Sequence, residues 1–396
     1  MLKNIVVVND FDFVQGGASK VAIQTANMLA ESNENLNVYF FSAVHSNESI
    51  LNEKVIKISI NQPEAMKNKN RLKGFINGIY NFKAKKEFKK LLNTLNKEET
   101  IVHVHGWTKA LSSCVFDIAF KMKFKVVLTL HDYFTACPNG GYFDYKQNKI
   151  CKRKPLSWKC IKCNCDSRNY FFKLYRIIRQ FVQNKIIKLP KKLEYAIGIS
   201  DLSIEVLKST LSPYIKFQKI YNPIEFDDND EDADYTQNEY YLFVGRVSKE
   251  KGIDIFCKAI TELNLKGIVV GDGSERKRLE NEYTNIEFVG WKNKEDVKKY
   301  MKKARCLIFP SLWYEGAPLT PLESMSLGIP CLVNSCCAAR EYYPKNNFSN
   351  YNELLKKIKI IDDEMIETTS YDFIYKFRTS EYVNNIKKYF EEVINE

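Results

Sequence analysis

Histidine is scarce in this chain of 396 residues, which has four, beside four tryptophans, eleven prolines and sixteen glycines. So little glycine and proline, with no repeat, excludes a collagenous or low-complexity chain. No apolar run approaches the ~20 residues that cross a bilayer. Met1 to Asp10 read as a short strand turning polar at Asn9-Asp10, without a signal-peptide pattern. The expectation is a cytoplasmic protein. No G-x-G-x-x-G follows the first strand, so a nicotinamide-dependent dehydrogenase is not expected.

What is abundant is ordinary core material and positive charge. Hydrophobic residues make up 45% and charged ones 27%, and the formal net charge is +12. Fifteen Lys and Arg lie between Lys146 and Lys192, with Asp166 as the lone acid, and Met66–Lys90 is a second basic stretch. Such clusters suit an anionic partner, although a solvated surface would look the same. Length alone suggests two domains.

The first half alternates strand-like and helix-like segments. Lys3–Asn9 is a continuous apolar run suited to a parallel strand covered on both faces, and Gly16-Gly17 opens a helical pattern through Ala30. Strands are expected at 37–42, 101–105, 125–130 and 196–199. An acidic, core-free run from Asp227 to Asp234 then interrupts the rhythm. The rhythm restarts with strands at 240–244, 266–270, 286–289, 306–309 and 331–333, and an amphipathic helix at about 380–394 closes the chain. The fold class read from this is α/β, with two Rossmann-like halves whose strand ends border a cleft. The expected domains are 1–225 with a cysteine-rich insertion near 137–165, a linker at 226–238, a second domain at 239–379, and a C-terminal helix returning towards the first domain.

The segment Pro310–Asn334 carries the strongest constellation, with Glu315 and Glu323 flanking Gly316, Ala317, Pro318 and Leu319. Thr320-Pro321-Leu322-Glu323 fits a capping box, with Thr320 as the cap. The loop ahead of it offers backbone N–H groups and a helix dipole to an anion such as a diphosphate.

With Gly245-Arg246-Val247 and Lys251-Gly252 upstream, this pattern resembles the GT4-type retaining glycosyltransferases of the GT-B fold, the glycosyl transferases group 1. The likeness runs over essentially the whole chain, through Gly16-Gly17, His131-Asp132, Ser200-Asp201, Tyr221-Asn222-Pro223, Gly271-Asp272-Gly273 and Phe288-Val289-Gly290. It implies that Arg246 and Lys251 hold the donor diphosphate and stabilise the charge that grows as the glycosidic bond breaks. It further implies that Glu323 takes the ribose hydroxyls and Glu315 those of the transferred sugar. Backbone amides around Gly316, Ala317 and Leu319 meet phosphate or sugar, and Gly290 lies on the loop beside the base. His131 touches the donor sugar, and Gly16 and Gly17 let the ligand approach the backbone. His103 and His105 alternate along one strand and share a face, so they read as structural, with His105 a candidate to line the cleft.

Transfer with retention to an acceptor hydroxyl follows from the likeness, with the departing phosphate removing the acceptor proton and no catalytic cofactor. The expected partners are a nucleotide-diphosphate sugar and a glycan or lipid-linked oligosaccharide acceptor in capsule, O-antigen or exopolysaccharide assembly; nucleic acid is not expected. Two rivals stay open: a nucleotide-sugar epimerase of the same fold, and a non-enzymatic protein binding an anionic ligand or membrane.

Two features remain. Cys137, Cys151, Cys160 and Cys163, with Cys165 as an alternative, could build a structural zinc site; free thiols or disulfides are the other readings. Tyr170–Pro190 mixes aromatic, aliphatic and basic residues. It suits the surface of an anionic membrane, or a helix that packs its apolar face on the sheet and exposes its lysines. The second reading is preferred for the helix itself, with the charge still favouring peripheral attachment.

Overall fold

The computed structural model describes residues 1–32, 35–224, 233–363 and 371–396. The chain divides into two compact units. One holds Met1–Gly141, Arg153–Pro223 and Thr379–Glu396, and the other Tyr142–Lys152 and Ile224–Arg378. The acidic run lies outside the described residues as far as position 232.

The first unit is built on β1 (Asn4–Phe11), β2 (Asn37–Val44), β3 (Ile56–Ser59), β4 (Thr100–Val104) and β5 (Lys125–Leu130). A short antiparallel hairpin, β6 (Phe143–Asp144) with β7 (Lys149–Ile150), follows and belongs to the second unit. Then come β8 (Tyr195–Gly198) and β9 (Lys216–Lys219). The first sheet has the order β3-β2-β1-β4-β5-β8-β9 and is parallel throughout. Every residue of β1 is buried, as expected of a central strand covered on both faces.

The second unit carries β10 (Tyr240–Val244), β11 (Lys266–Val270), β12 (Ile286–Gly290), β13 (Ala304–Phe309), β14 (Cys331–Asn334) and β15 (Asn347–Phe348). Its sheet, also parallel, has the order β12-β11-β10-β13-β14-β15. Four helices bear on function: α1 (Gly17–Ser32), α2 (Arg71–Ile79), α3 (Tyr170–Phe181) and α4 (Leu319–Ser326). The last helix, α5 (Thr379–Asn395), belongs to the first unit. There Tyr382, Ile386 and Phe390 join the core formed by β1 and α1, and Tyr382 Oη lies 2.6 Å from Thr25 Oγ1.

Two sequence expectations are corrected. Helix α4 starts at Leu319 with Pro318 before it and no side-chain cap, so Thr320 lies inside the helix rather than capping it. Pro321 falls within the first turn, where a missing N–H costs nothing, so the helix can begin earlier than the capping pattern suggests. Helix α3 inverts the preferred reading of its segment. It buries Lys173, Tyr175, Arg179 and Gln180 and leaves Phe171, Leu174, Ile178 and Phe181 exposed.

Space around two glycines predicts opposite outcomes. A Cβ at Gly271, where φ is +142°, would meet Gly245 O at 1.9 Å, whereas a Cβ at Gly17 meets nothing within 4 Å. Gly271→Ala is expected to lower unfolding stability by about 2 kcal/mol or more. Gly17→Ala is expected to leave it unchanged or raise it by up to about 1 kcal/mol. Urea titration of both variants checks this.

Candidate active site

In the second unit the loops after successive strands are tied together at the carboxyl edge of the sheet. Gly245 N–H donates to Val270 O, Gly271 N–H to Gly290 O, and Val247 N–H to Asp272 O, at 2.8–3.0 Å. The loop after β10 is tied in turn to the loop after β13, since Leu312 N–H donates to Glu250 O at 2.8 Å. Gly252 makes that approach possible. Its φ is +72°, and a Cβ there would meet Pro310 O at 2.0 Å.

This fastening places Lys251 against Glu315, sixty-four positions away in sequence, as an ion pair between Lys251 Nζ and Glu315 Oε1. Both side chains are largely buried. The same carboxylate oxygen accepts from Ser311 Oγ at 2.9 Å and from Trp313 Nε1 at 2.6 Å. The Lys251 ammonium also lies 5.6 Å from the centre of the Trp313 ring. Ser311 and Trp313 were not singled out from sequence, because neither belongs to a motif; their role becomes visible only when the loop is folded.

Arg246 leaves the end of β10 with its side chain 58% exposed and reaches back to Glu250 at 2.7 Å. Gly290 ends β12 beside Arg276, whose guanidinium donates to Phe288 O at 3.1 Å. Among the described residues, the N–H groups of Gly316, Ala317 and Leu319 meet no acceptor, and they lead into α4. Glu323 is half-buried on that helix. The structure therefore joins Lys251 to Glu315 directly and sets Arg246, Gly316 and Ala317 on loops, Gly290 at a strand end and Leu319 at a helix start, all at the same sheet edge. A separate cavity of about 430 Å³, lined by Tyr240, Lys292, Asp296 and Lys299, adjoins the start of β10 and holds none of these residues.

In the first unit, His131 follows β5 and ends a chain of three imidazoles. Its Nε2 lies 2.9 Å from His105 Nδ1; His105 Nε2 lies 3.2 Å from His103 Nδ1, and His103 Nε2 lies 2.7 Å from Thr129 Oγ1. Thus His103 and His105 do share a face, and that face leads to His131. Burial keeps the rings neutral, lowering His103 to about 3, His131 to about 4 and His105 well below its ordinary value.

One end of the chain sets every tautomer in it. Thr129 is buried, and its hydroxyl has no second partner among the described residues. Were it to accept from His103, its own hydrogen would be buried unbonded, at a cost of about 1–3 kcal/mol. It therefore donates to His103 Nε2. His103 Nδ1–H then donates to His105 Nε2, and His105 Nδ1–H to His131 Nε2. His131 is left with Nδ1–H as its remaining donor. It is a neutral donor, and its lone pair is committed inside the protein.

Beside it, burial raises Asp132 to about 6, and its carboxylate accepts from Phe134 N–H at 3.0 Å. Gly16 and Gly17 open α1 with empty space where side chains would stand.

The cysteines gather around a cation. Lys173 Nζ, wholly buried, lies 3.1 Å from Cys165 Sγ and 3.6 Å from Cys160 Sγ, and Asn139 joins Cys137 to Cys165. Cys151 falls in the other compact unit. Among the described residues, no three His, Cys, Asp or Glu side chains are grouped to hold a metal ion. The ammonium favours thiolates at these sulfurs, and zinc on Cys137, Cys151, Cys160 and Cys163 stays an expectation.

Residues 225–363 match the family described as glycosyl transferases group 1. That stretch contains Arg246, Lys251, Glu315 and Glu323. The match covers about a third of the chain. It is 27% identical over 223 residues to an uncharacterized glycosyltransferase of Methanocaldococcus jannaschii, covering 50% of this chain and 62% of that protein. It is 26% identical over 230 residues to the UDP-Gal:alpha-D-GlcNAc-diphosphoundecaprenol alpha-1,3-galactosyltransferase of Escherichia coli, covering 50% of this chain and 58% of that one. The matches thus span about three-fifths of each relative. Among solved structures, the lipopolysaccharide outer core galactosyltransferase WaaB superposes with a TM-score of 0.65 at 15% identity, over 98% of this chain and 99% of that one. The fold is GT-B: two Rossmann-like units, each on a parallel sheet.

Two measurements test the imidazole chain. ¹⁵N NMR of the histidine rings at pH 7 is expected to show all three neutral and protonated at Nδ1; a His131 ring protonated at Nε2 contradicts the assignment. The histidines also make stability pH-dependent. Their folded values lie below the unfolded value near 6.5, so the stability they contribute is full above pH 6.5 and is lost as pH falls towards 4. Asp132, raised to about 6, and Asp10, also raised by burial, work the other way, but as two groups against three. The unfolding midpoint in urea is expected to be lower at pH 5 than at pH 7.

Proposed function

We propose that this protein is a retaining glycosyltransferase of GT4 type that moves a sugar from a nucleotide-diphosphate donor to an acceptor hydroxyl. The proposed setting is cell-surface polysaccharide assembly, such as capsule, O-antigen or exopolysaccharide, on a lipid-linked acceptor. The observation that carries the reading is the Lys251–Glu315 pair, fixed at the carboxyl edge of a parallel sheet within a group 1 domain. The E. coli relative's UDP-Gal donor and diphosphoundecaprenol-linked acceptor support the choice of substrate classes.

In this reading Glu315 keeps the Lys251 ammonium extended before the donor arrives, so little side-chain freedom is lost on binding. Arg246, exposed and tied by one contact, swings onto the diphosphate and offers a bidentate fork. The unsatisfied N–H groups at 316, 317 and 319 and the start of α4 add positive potential for the departing phosphate. Glu323 takes the ribose hydroxyls, and Glu315 meets the transferred sugar. His131 donates its Nδ1–H to the sugar. With its lone pair already engaged it is not the base, which agrees with a route in which the leaving phosphate accepts the acceptor's proton.

A panel of nucleotide sugars scored by thermal shift tests the donor assignment, one of them being expected to raise the melting temperature specifically. With that donor and an acceptor, Arg246→Ala is expected to cut turnover by about a hundredfold or more. His131→Asn, which keeps an amide N–H near the position of Nδ1, is expected to retain far more turnover than His131→Ala. Conversion of the donor into an isomeric nucleotide sugar without acceptor, and without net release of nucleoside diphosphate, would instead favour the epimerase reading, and no turnover with any donor would refute transfer.

A further inference from the structure

The surface of helices α2 and α3 is arranged inside out. On α3, Phe171, Leu174, Ile178 and Phe181 are spaced 3, 4 and 3 apart, which places them on one stripe, and they are exposed by 67%, 38%, 46% and 50%. The opposite, polar face is turned inward and is used there. Arg179 donates to Thr108 O at 3.3 Å and Pro138 O at 3.2 Å. Gln180 donates to Phe134 O and Gln183 does likewise, both at 3.0 Å. Lys173 faces the cysteine sulfurs. These polar groups satisfy the loop that follows His131, and with the polar face so occupied the apolar face has only the outside.

Helix α2 repeats the pattern. Phe75 packs on Tyr175 of α3 with ring centres 4.9 Å apart, and a Cβ on Gly78 would meet Tyr175 Oη at 1.7 Å. Gly78 thus seats it against α3, while Leu72 and Ile76 are 70% and 43% exposed. Six large apolar side chains stand outward on two adjacent helices.

Charge identifies the occupant. Arg71 and Lys73 on α2, Lys159 and Lys162 just before α3, and Lys185 just after it are all exposed. From residue 146 to 192 the lone acid, Asp166, is buried against Arg176 at 3.2 Å. Among the described residues no helix is long and apolar enough to cross a membrane. An apolar stripe on helices flanked in sequence by exposed cations, with no exposed acid between residues 146 and 192, matches the interface of an anionic bilayer, where acyl chains lie beneath negative headgroups. We propose that the outer face of α2 and α3 is a membrane-docking surface that inserts these side chains into an anionic lipid leaflet. This does not depend on glycosyl transfer.

Co-sedimentation with phosphatidylcholine vesicles, with and without phosphatidylglycerol, tests it on the full chain. The parent is expected to bind the anionic vesicles, and less well as salt is raised. Phe171→Ser/Ile178→Ser/Phe181→Ser is expected to weaken that binding by at least tenfold while keeping the parent's circular dichroism and melting temperature. Ile360→Ser, an exposed apolar residue of the other unit, is expected to bind as the parent does. Failure of the parent to bind anionic vesicles, or equal binding by the triple variant, overturns the proposal. So does a parent dimer that the triple variant dissociates without any vesicle binding, since the face would then be a contact between copies.

Discussion

Strands buried on both faces leave little room for charged side chains along their length, so polar groups gather where strands end. In both units that constraint places the candidate groups at carboxyl ends, on loops whose backbones must satisfy one another. The second unit meets the requirement by tying the loops after β10, β11 and β12 together, and then the loop after β10 to that after β13. Once the loops are tied, the position of Lys251 is no longer a matter of local sequence. It is set by Gly252 lying against Pro310, and by a carboxylate already held by Ser311 and Trp313.

The first unit answers the same constraint with side chains. A single buried hydroxyl, Thr129, orders three imidazoles and leaves His131 one N–H to donate. The loop beyond His131 is held by Arg179 and Gln180 of α3 and by Gln183 just after it, so the helix that steadies this loop is also the one whose outer surface is apolar. Positioning of the loop and the character of the outer surface are consequences of one orientation of one helix.

The central strands could be read in the sequence because full burial writes them as unbroken apolar runs: β1, β5, β10 and β11 lie where those runs predict. The two edge strands of the first sheet, β3 and β9, could not. Lys216–Lys219 is mostly exposed and polar, and Ile56–Ser59 is only half-covered, so neither carries an apolar signature. Thr320-Pro321-Leu322-Glu323 shows the limit of a motif, since a capping pattern competes with a helix start one residue earlier and the chain takes the earlier start.

Composition and order of residues determined by themselves the two parallel-sheet units, the acidic interruption between them, and the choice of Arg246, Lys251, Glu315, Glu323 and His131 as candidates. Tertiary structure alone decided that Lys251 pairs with Glu315, that His131 is a donor, and that the apolar stripe of α3 faces out. The physical reason is the same in each case. Periodicity records which residues share a face, whereas the direction of that face, and the partner waiting there, depend on segments far away in the chain.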